Sequence, residues 1–168
     1  MHNITRRLTP MKKLLVTGLV AGLMAISTMA FAANRVEIMT AANNVVPISA
    51  EMYSMKEDDA VKTELKYRDT RNNKLYEVEV DKATAKVLEL EIQDIKIVKS
   101  NKVIKTQADV EKIVLAEYPD AQNLMIKLDQ DGKNYEYEAK FNTAKCYEVD
   151  LDINTATGAI VKRDLKFR

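Results

Sequence analysis

The sequence predicts an α+β fold: two units, each a helix packed on a three- to four-stranded antiparallel sheet, following a cleaved signal peptide. Three observations predict it. An apolar N-terminal run closes on small residues. Period-two alternation of polar and apolar residues fills most of the remaining chain. The phrase Tyr-Glu-Val occurs twice, at Tyr76–Val78 and Tyr147–Val149, and each copy runs on into a turn.

The N-terminal 32 residues read as the signal peptide, with the residues before Met11 as an upstream start or a long n-region. Lys12 and Lys13 precede the apolar run "LLVTGLVAGLMAI", which ends at Ala30-Phe31-Ala32. A charged region, a short apolar region and an A-x-A end are the parts a signal peptidase needs. The run is short for a membrane span, which takes about 20 apolar residues. No Cys stands near the predicted cleavage site, so a lipid anchor is not expected. The sequence therefore predicts a periplasmic or secreted protein, with no stable membrane insertion after cleavage.

Removing residues 1–32 takes four basic residues and no acidic ones, leaving 22 basic against 25 acidic, a net charge of −3. Nucleic-acid binding needs a basic surface that this balance does not supply. The only His is His2, which leaves with the signal. A Ser-His or Cys-His nucleophile pair cannot then be built, nor a zinc site that uses His. Gly132 and Gly158 are the glycines that remain, too few and too far apart for a phosphate-cradling loop. No enzyme, cofactor or metal is expected from this inventory. Cys146 is single, so no intramolecular disulfide forms, and its alternation with apolar neighbours predicts burial.

Residues 33–48 read as a leader segment with a turn of helix around Val36–Thr40. Ser49 is a candidate N-cap for a short helix through "AEMYSMK". Alternation begins at Val61, with Val61, Thr63, Leu65 and Tyr67 on one face. "RNNK" is turn chemistry. Tyr76, Val78 and Val80 then point inward on the next strand, and Leu88, Leu90 and Ile92 on a third. One buried and one wet face is the mark of an antiparallel sheet. Thr106 caps a second helix with Asp109 three residues on, and Pro119 stops it. Up to four strands follow, with Asp131-Gly132 marking a hairpin.

The two halves align. Tyr76 and Tyr147 are 71 residues apart, and Thr84 and Thr157 are 73 apart. The slip of two is even, so it keeps side chains on their own sheet face. A capped helix, then a meander with "YEVEVD" or "YEVDLD" and the turn "NTATGAIV", resembles the PepSY domain family. The second half, from Thr106 to about Arg168, resembles it best, with Asn154 where the family usually has Asp. The first, about Ser49 to Asp94, has a short helix, and Ala85 replaces the turn glycine. On this resemblance residues 49–99 and 100–168 are tandem repeats, the first degenerate. The resemblance implies an exported, non-catalytic bacterial module of the kind found in metallopeptidase pro-regions and small envelope proteins, with a secreted or periplasmic peptidase as the partner it inhibits or regulates.

Thr157 and Gly158 are expected to be structural turn residues, Gly158 supplying a positive φ, while Ala85 is expected to find another turn geometry. Tyr135 and Tyr137 share a face, as do Tyr147 and Val149, either for packing or for an interface. Glu136, Glu138, Glu148, Asp150 and Asp152 should all face away from the core and form a candidate interaction face, with Lys127, Lys140 and Lys162 interleaved. That face either meets a basic partner or a cation, or is simply solvated. It also supports the alternative reading, a structural or stress-related envelope protein that binds cations or cell-wall components.

Overall fold

The computed structural model describes residues 33–57 and 59–168. The signal peptide predicted over residues 1–32 lies outside the described residues. The element order is α1 (Arg35–Asn43), β1 (Glu51–Glu57), β2 (Lys62–Asp69), β3 (Lys74–Asp81) and β4 (Val87–Asp94), then α2 (Gln107–Glu117), β5 (Gln122–Asp131), β6 (Asn134–Asn142), β7 (Cys146–Asn154) and β8 (Ile160–Phe167). The fold is α+β, with one eight-stranded sheet in the order β1-β2-β3-β4-β8-β7-β6-β5, antiparallel throughout. Each half is thus a helix followed by a four-stranded meander. The halves are not separate sheets, because their last strands pair, with Leu90 opposite Leu165 and Glu91 opposite Asp164.

Both helices cover the same face. Ile38 and Ala42 of α1 pack on Leu65, Tyr67, Tyr76, Val78, Val80 and Leu90. Val110 and Val114 of α2 pack on the matching positions of β6 and β7, and Leu165 and Phe167 touch both clusters. Helices of nine and eleven residues are marginal alone, so burial holds them. A fully buried Val or Ile side chain contributes about 1.5–3 kcal/mol. Cys146 is buried as expected, and burial pushes its thiol pKa up. Among the described residues no helix is long and apolar enough to cross a membrane.

Four local expectations need correction. The helix predicted from Ser49 through "AEMYSMK" is strand β1, and the helix of this half is α1, inside the segment read as a leader. Asn34 caps α1 by accepting from the Val36 and Glu37 amides, while Glu37 accepts from the Asn34 amide. That N-x-x-E capping box is a sequence signal for the start of α1. Ser49 caps nothing; its hydroxyl donates to the buried Asp69 carboxylate at 2.6 Å. β1 is an edge strand, so its residues do not alternate in burial, and pairing with β2 overrides its propensity. Val61, expected inward, is exposed, because β2 begins at Lys62. Tyr147 does not share a face with Val149. A bulge between Cys146 and Glu148 turns it out to solvent, 54% exposed against a fully buried Val149.

The fourth concerns Ala85. It adopts the conformation expected only of its glycine counterpart, with φ 54° against 79° at Gly158. The two turns match in the bonds that shape their backbone, and the Thr84 hydroxyl adds one more, to Asp81 Oδ1. Asp81 Oδ1 accepts from the Ala83 and Thr84 amides, and the Ala85 amide donates to the Asp81 carbonyl. Asn154 Oδ1 accepts from the Ala156 and Thr157 amides, and the Gly158 amide donates to the Asn154 carbonyl. Asp69 opens a third turn of this kind, which ends on Asn73 at φ 55°. A short acceptor side chain substitutes for the missing turn hydrogen bonds, and the fifth residue is driven left-handed.

Left-handed backbone costs a non-glycine residue about 1–2 kcal/mol, partly offset by the extra freedom glycine has when unfolded. Ala85→Gly should therefore stabilise the protein by up to about 1 kcal/mol. Gly158→Ala should destabilise it by about 1–3 kcal/mol, since a Cβ there would also lie 2.7 Å from Ile113 Cδ1 of α2. Paired urea denaturation curves check both signs.

Candidate functional site

With both helices on one face, no helix among the described residues covers the other face of the sheet. Cross-strand register defines its middle row: Lys66, Glu77, Glu91, Asp164, Asp150 and Lys140, each directly opposite the next. Four carboxylates stand side by side with a lysine at either end. Glu91 and Asp164 are 73 residues apart in sequence, the spacing of the matched turns, so the row reads alike from both ends.

The five acids singled out from sequence all lie on this face. Glu138 is opposite Asp152, Lys140 opposite Asp150, and Glu136 opposite Asn154. They are largely matched by cations. Lys140 pairs with Asp150 and Lys166 with Glu148, both at 2.6 Å. Lys127 reaches Asp129 at 3.1 Å and Glu138 at 3.9 Å. Lys162 turns to Glu91, at 2.9 Å. Exposed pairs of this kind contribute only about 0–1 kcal/mol each. Their main effect is to let like charges share a face. Among the described residues no group of three or more His, Cys, Asp or Glu side chains is placed to hold a metal ion.

Sequence reasoning missed Glu89, Glu91 and Asp164. It placed β4 and β8 as strands but carried no signal that they pair. Glu91 is paired with Lys162, but Glu89 and Asp164 are poorly satisfied. Asp164 Oδ1 is buried with no hydrogen-bond partner among the described residues. Burial first, and then the Asp164 carboxylate, push Glu89 up to about 7. Burial first, and then the Glu136 carboxylate, push Asp152 up to about 6, against a lowering pull from Lys162.

The remaining candidates are structural in their contacts. Tyr137 is buried and its hydroxyl donates to the Lys105 carbonyl at 3.0 Å. The Tyr135 amide donates to the Ser100 carbonyl. Both bonds hold the segment that links the two halves. Asn154, which stands where the resemblance would place Asp, makes a third: its Nδ2 donates to the Val98 carbonyl at 2.7 Å. Thr155 next to it is fully buried and donates to the Lys102 carbonyl at 2.8 Å. An aspartate could form the turn but could not donate to Val98.

Away from the acidic face, a cleft of about 350 Å³ lies between α1 and β1, lined by Ala33, Arg35, Ile38, Met55, Glu57, Thr63 and Lys82. Its size suits a small ligand. The Lys82–Glu57 pair spans its rim at 2.9 Å.

No protein-family model matches the chain, and no curated protein matches it. Among solved structures it is similar to the crystal structure of a candidate lipoprotein from Clostridium difficile 630, at 20% identity over 76% of this chain and 88% of that one, with a TM-score of 0.28. A likeness of that degree leaves function to this chain's own geometry.

Two outcomes are expected here. Asn154→Asp should cost about 1–3 kcal/mol, because the Val98 carbonyl loses its donor and a charge is placed at a buried position; hydrogen exchange in the linker should rise with it. Asp152 has a folded-state pKa above the ordinary value, so it stabilises the fold at low pH, and that contribution is lost as pH rises through about 6. Asp152→Asn should therefore raise stability at pH 8 by about 1–2 kcal/mol, discounted for partial exposure, and have little effect at pH 4. Melts at the two pH values check it.

Proposed function

We propose that the protein is an exported, non-catalytic binding module built from two PepSY-like halves, and that it inhibits or regulates an extracytoplasmic peptidase. The observation that carries this reading is the recurrence of one unit. A capped helix precedes a four-stranded meander twice, and the last turn of each meander, Asp81–Lys86 and Asn154–Ala159, is shaped by the same hydrogen bonds. The degenerate appearance of the first half is then a matter of sequence rather than shape, since α1 and Ala85 fill the places of α2 and Gly158.

The mechanism proposed is occlusion of a cleft. β1 and β5 are the free edges of the sheet, and an edge strand can add to a strand or an extended segment of a partner. Bulges at Met52/Ser54 and Gln122/Met125 spoil one end of each edge, which leaves the stretch from Met125 to Asp131 as the longer regular edge. The acidic face adjoining β5 adds electrostatic selection for a basic rim.

The test is kinetic. The purified protein, titrated against the secreted metallopeptidases of its own host, should slow at least one of them at low micromolar concentration or below. Full activity of all of them at higher concentration sinks the proposal. A calcium-dependent rise in melting temperature without inhibition would instead favour the envelope reading, with the acidic face as the cation-binding surface.

A further inference from the structure

The joint between the two halves places carboxylates where cations would be expected. Asp164, on β8, faces Glu91 of β4 on one side and Asp150 of β7 on the other. Its diagonal neighbours are Glu89 and Gln93 on β4, and Glu148 and Asp152 on β7. On its own strand the same face carries Lys162 and Lys166. From β3, Glu79 adds a further negative charge beside Glu89.

Every lysine close to Asp164 is engaged elsewhere. Lys162 is on Glu91 at 2.9 Å, Lys166 on Glu148 at 2.6 Å, and Lys140, beyond Asp150, on Asp150 at 2.6 Å. Lys62, which could relieve Glu79, is on it at 2.6 Å. Asp164 Oδ1 is left buried with no donor among the described residues. A buried acceptor without a donor costs about 1–3 kcal/mol, and a charged one more. Glu89 stands diagonally across the β4–β8 pair from Asp164, and its carboxyl becomes a donor once it takes up a proton.

We propose that the β4–β8 joint is proton-operated: a protonated Glu89 donates to Asp164 Oδ1 and clamps the two halves, and loss of that proton sets two carboxylates against each other and loosens the joint. The proton is exchanged with solvent and no other group changes its bonding. A strand pair of only five opposed residues, Glu89–Gln93 with Lys162–Lys166, is short enough for one such bond to matter to its opening. The elevated Glu89 value puts the transition close to neutral pH. The inference concerns the molecule's own joint and does not rest on the identity of any partner.

The experiment is a carbon-detected NMR titration of the Glu89 carboxyl in the purified protein, paired with backbone hydrogen exchange at pH 5.5 and pH 8.5. A Glu89 midpoint near 7 is expected, falling toward the ordinary carboxylate range in Asp164→Asn. Protection of the β4–β8 amides, corrected for intrinsic rates, should drop at least tenfold between the two pH values, while β2–β3 amides keep theirs. In Glu89→Gln the side-chain amide donates at every pH, and the pH dependence of the joint should vanish. A wild-type Glu89 midpoint near 4.5, or equal pH dependence of protection in wild type and Glu89→Gln, overturns the proposal. Should the variants not fold, the wild-type titration alone decides.

Discussion

The pairing of β4 with β8 is the constraint on which the rest of the structure depends. Without it there would be two four-stranded meanders, each with an extra edge and a small core under a short helix. With it, the edge count falls to two and the cores become continuous through Leu165 and Phe167. The same pairing fixes which polar residues meet on the open face. Because Glu91 and Asp164 occupy equivalent places in the two halves, joining the halves symmetrically brings like next to like. Each half contributes one lysine followed by two acids, and the join sets the four acids side by side in the middle. The charge stress at the centre of the sheet is thus a consequence of the joint's symmetry.

The turns make the meanders possible. Each of the three that open on Asp69, Asp81 or Asn154 replaces backbone hydrogen bonds by a side-chain acceptor and then needs a left-handed residue. Asn73, Ala85 and Gly158 fill that place at different cost. At Gly158 a second constraint acts, since a Cβ there would lie 2.7 Å from Ile113 Cδ1 of α2. That contact explains why glycine stands in the second half while alanine is tolerated in the first. Asn154 is explained in the same way. It serves the turn with its oxygen and the linker with its nitrogen, so amide chemistry does what a carboxylate could not.

Much of this was legible in the sequence. Alternation placed β2, β3, β4 and the strands after α2, because those strands have one buried and one solvated face. The Thr106–Asp109 capping box is present as read. The opposed acids of β6 and β7 fall on one face because a period of two leaves them no other. The failures have physical causes. β1 is an edge strand and buries little, so it lacks the pattern that reveals a strand. α1 was expected only as a turn of helix around Val36–Thr40; it buries only Ile38 and Ala42, too few to make an apolar stripe that shows its full length. Tyr147 is turned outward by a bulge, which adds one residue that no periodicity announces. The β4–β8 register, and with it Glu89, Glu91 and Asp164, is a long-range pairing between strands far apart in sequence. Local pattern carries no information about it.

The two surfaces a partner could use differ in their physics. A strand edge offers backbone hydrogen bonds, whose strength is nearly independent of ionic strength. The acidic face offers long-range attraction to a basic rim, and screening at physiological salt limits its reach to about 8 Å. Face charges therefore act mainly on encounter rate and partner choice, while edge pairing acts on residence time. The arrangement links the two. β5 is both the free edge with the longer regular stretch and the strand next to Glu136 and Glu138. A partner steered by the face would arrive beside the edge that can hold it. The second half, with its longer helix, its glycine turn and its linker pinned by Asn154, Thr155, Tyr135 and Tyr137, is also the more firmly braced platform for such an edge. On the proposed reading, a partner would dock on the β5 side of the molecule, with the first half closing the sheet that carries that edge.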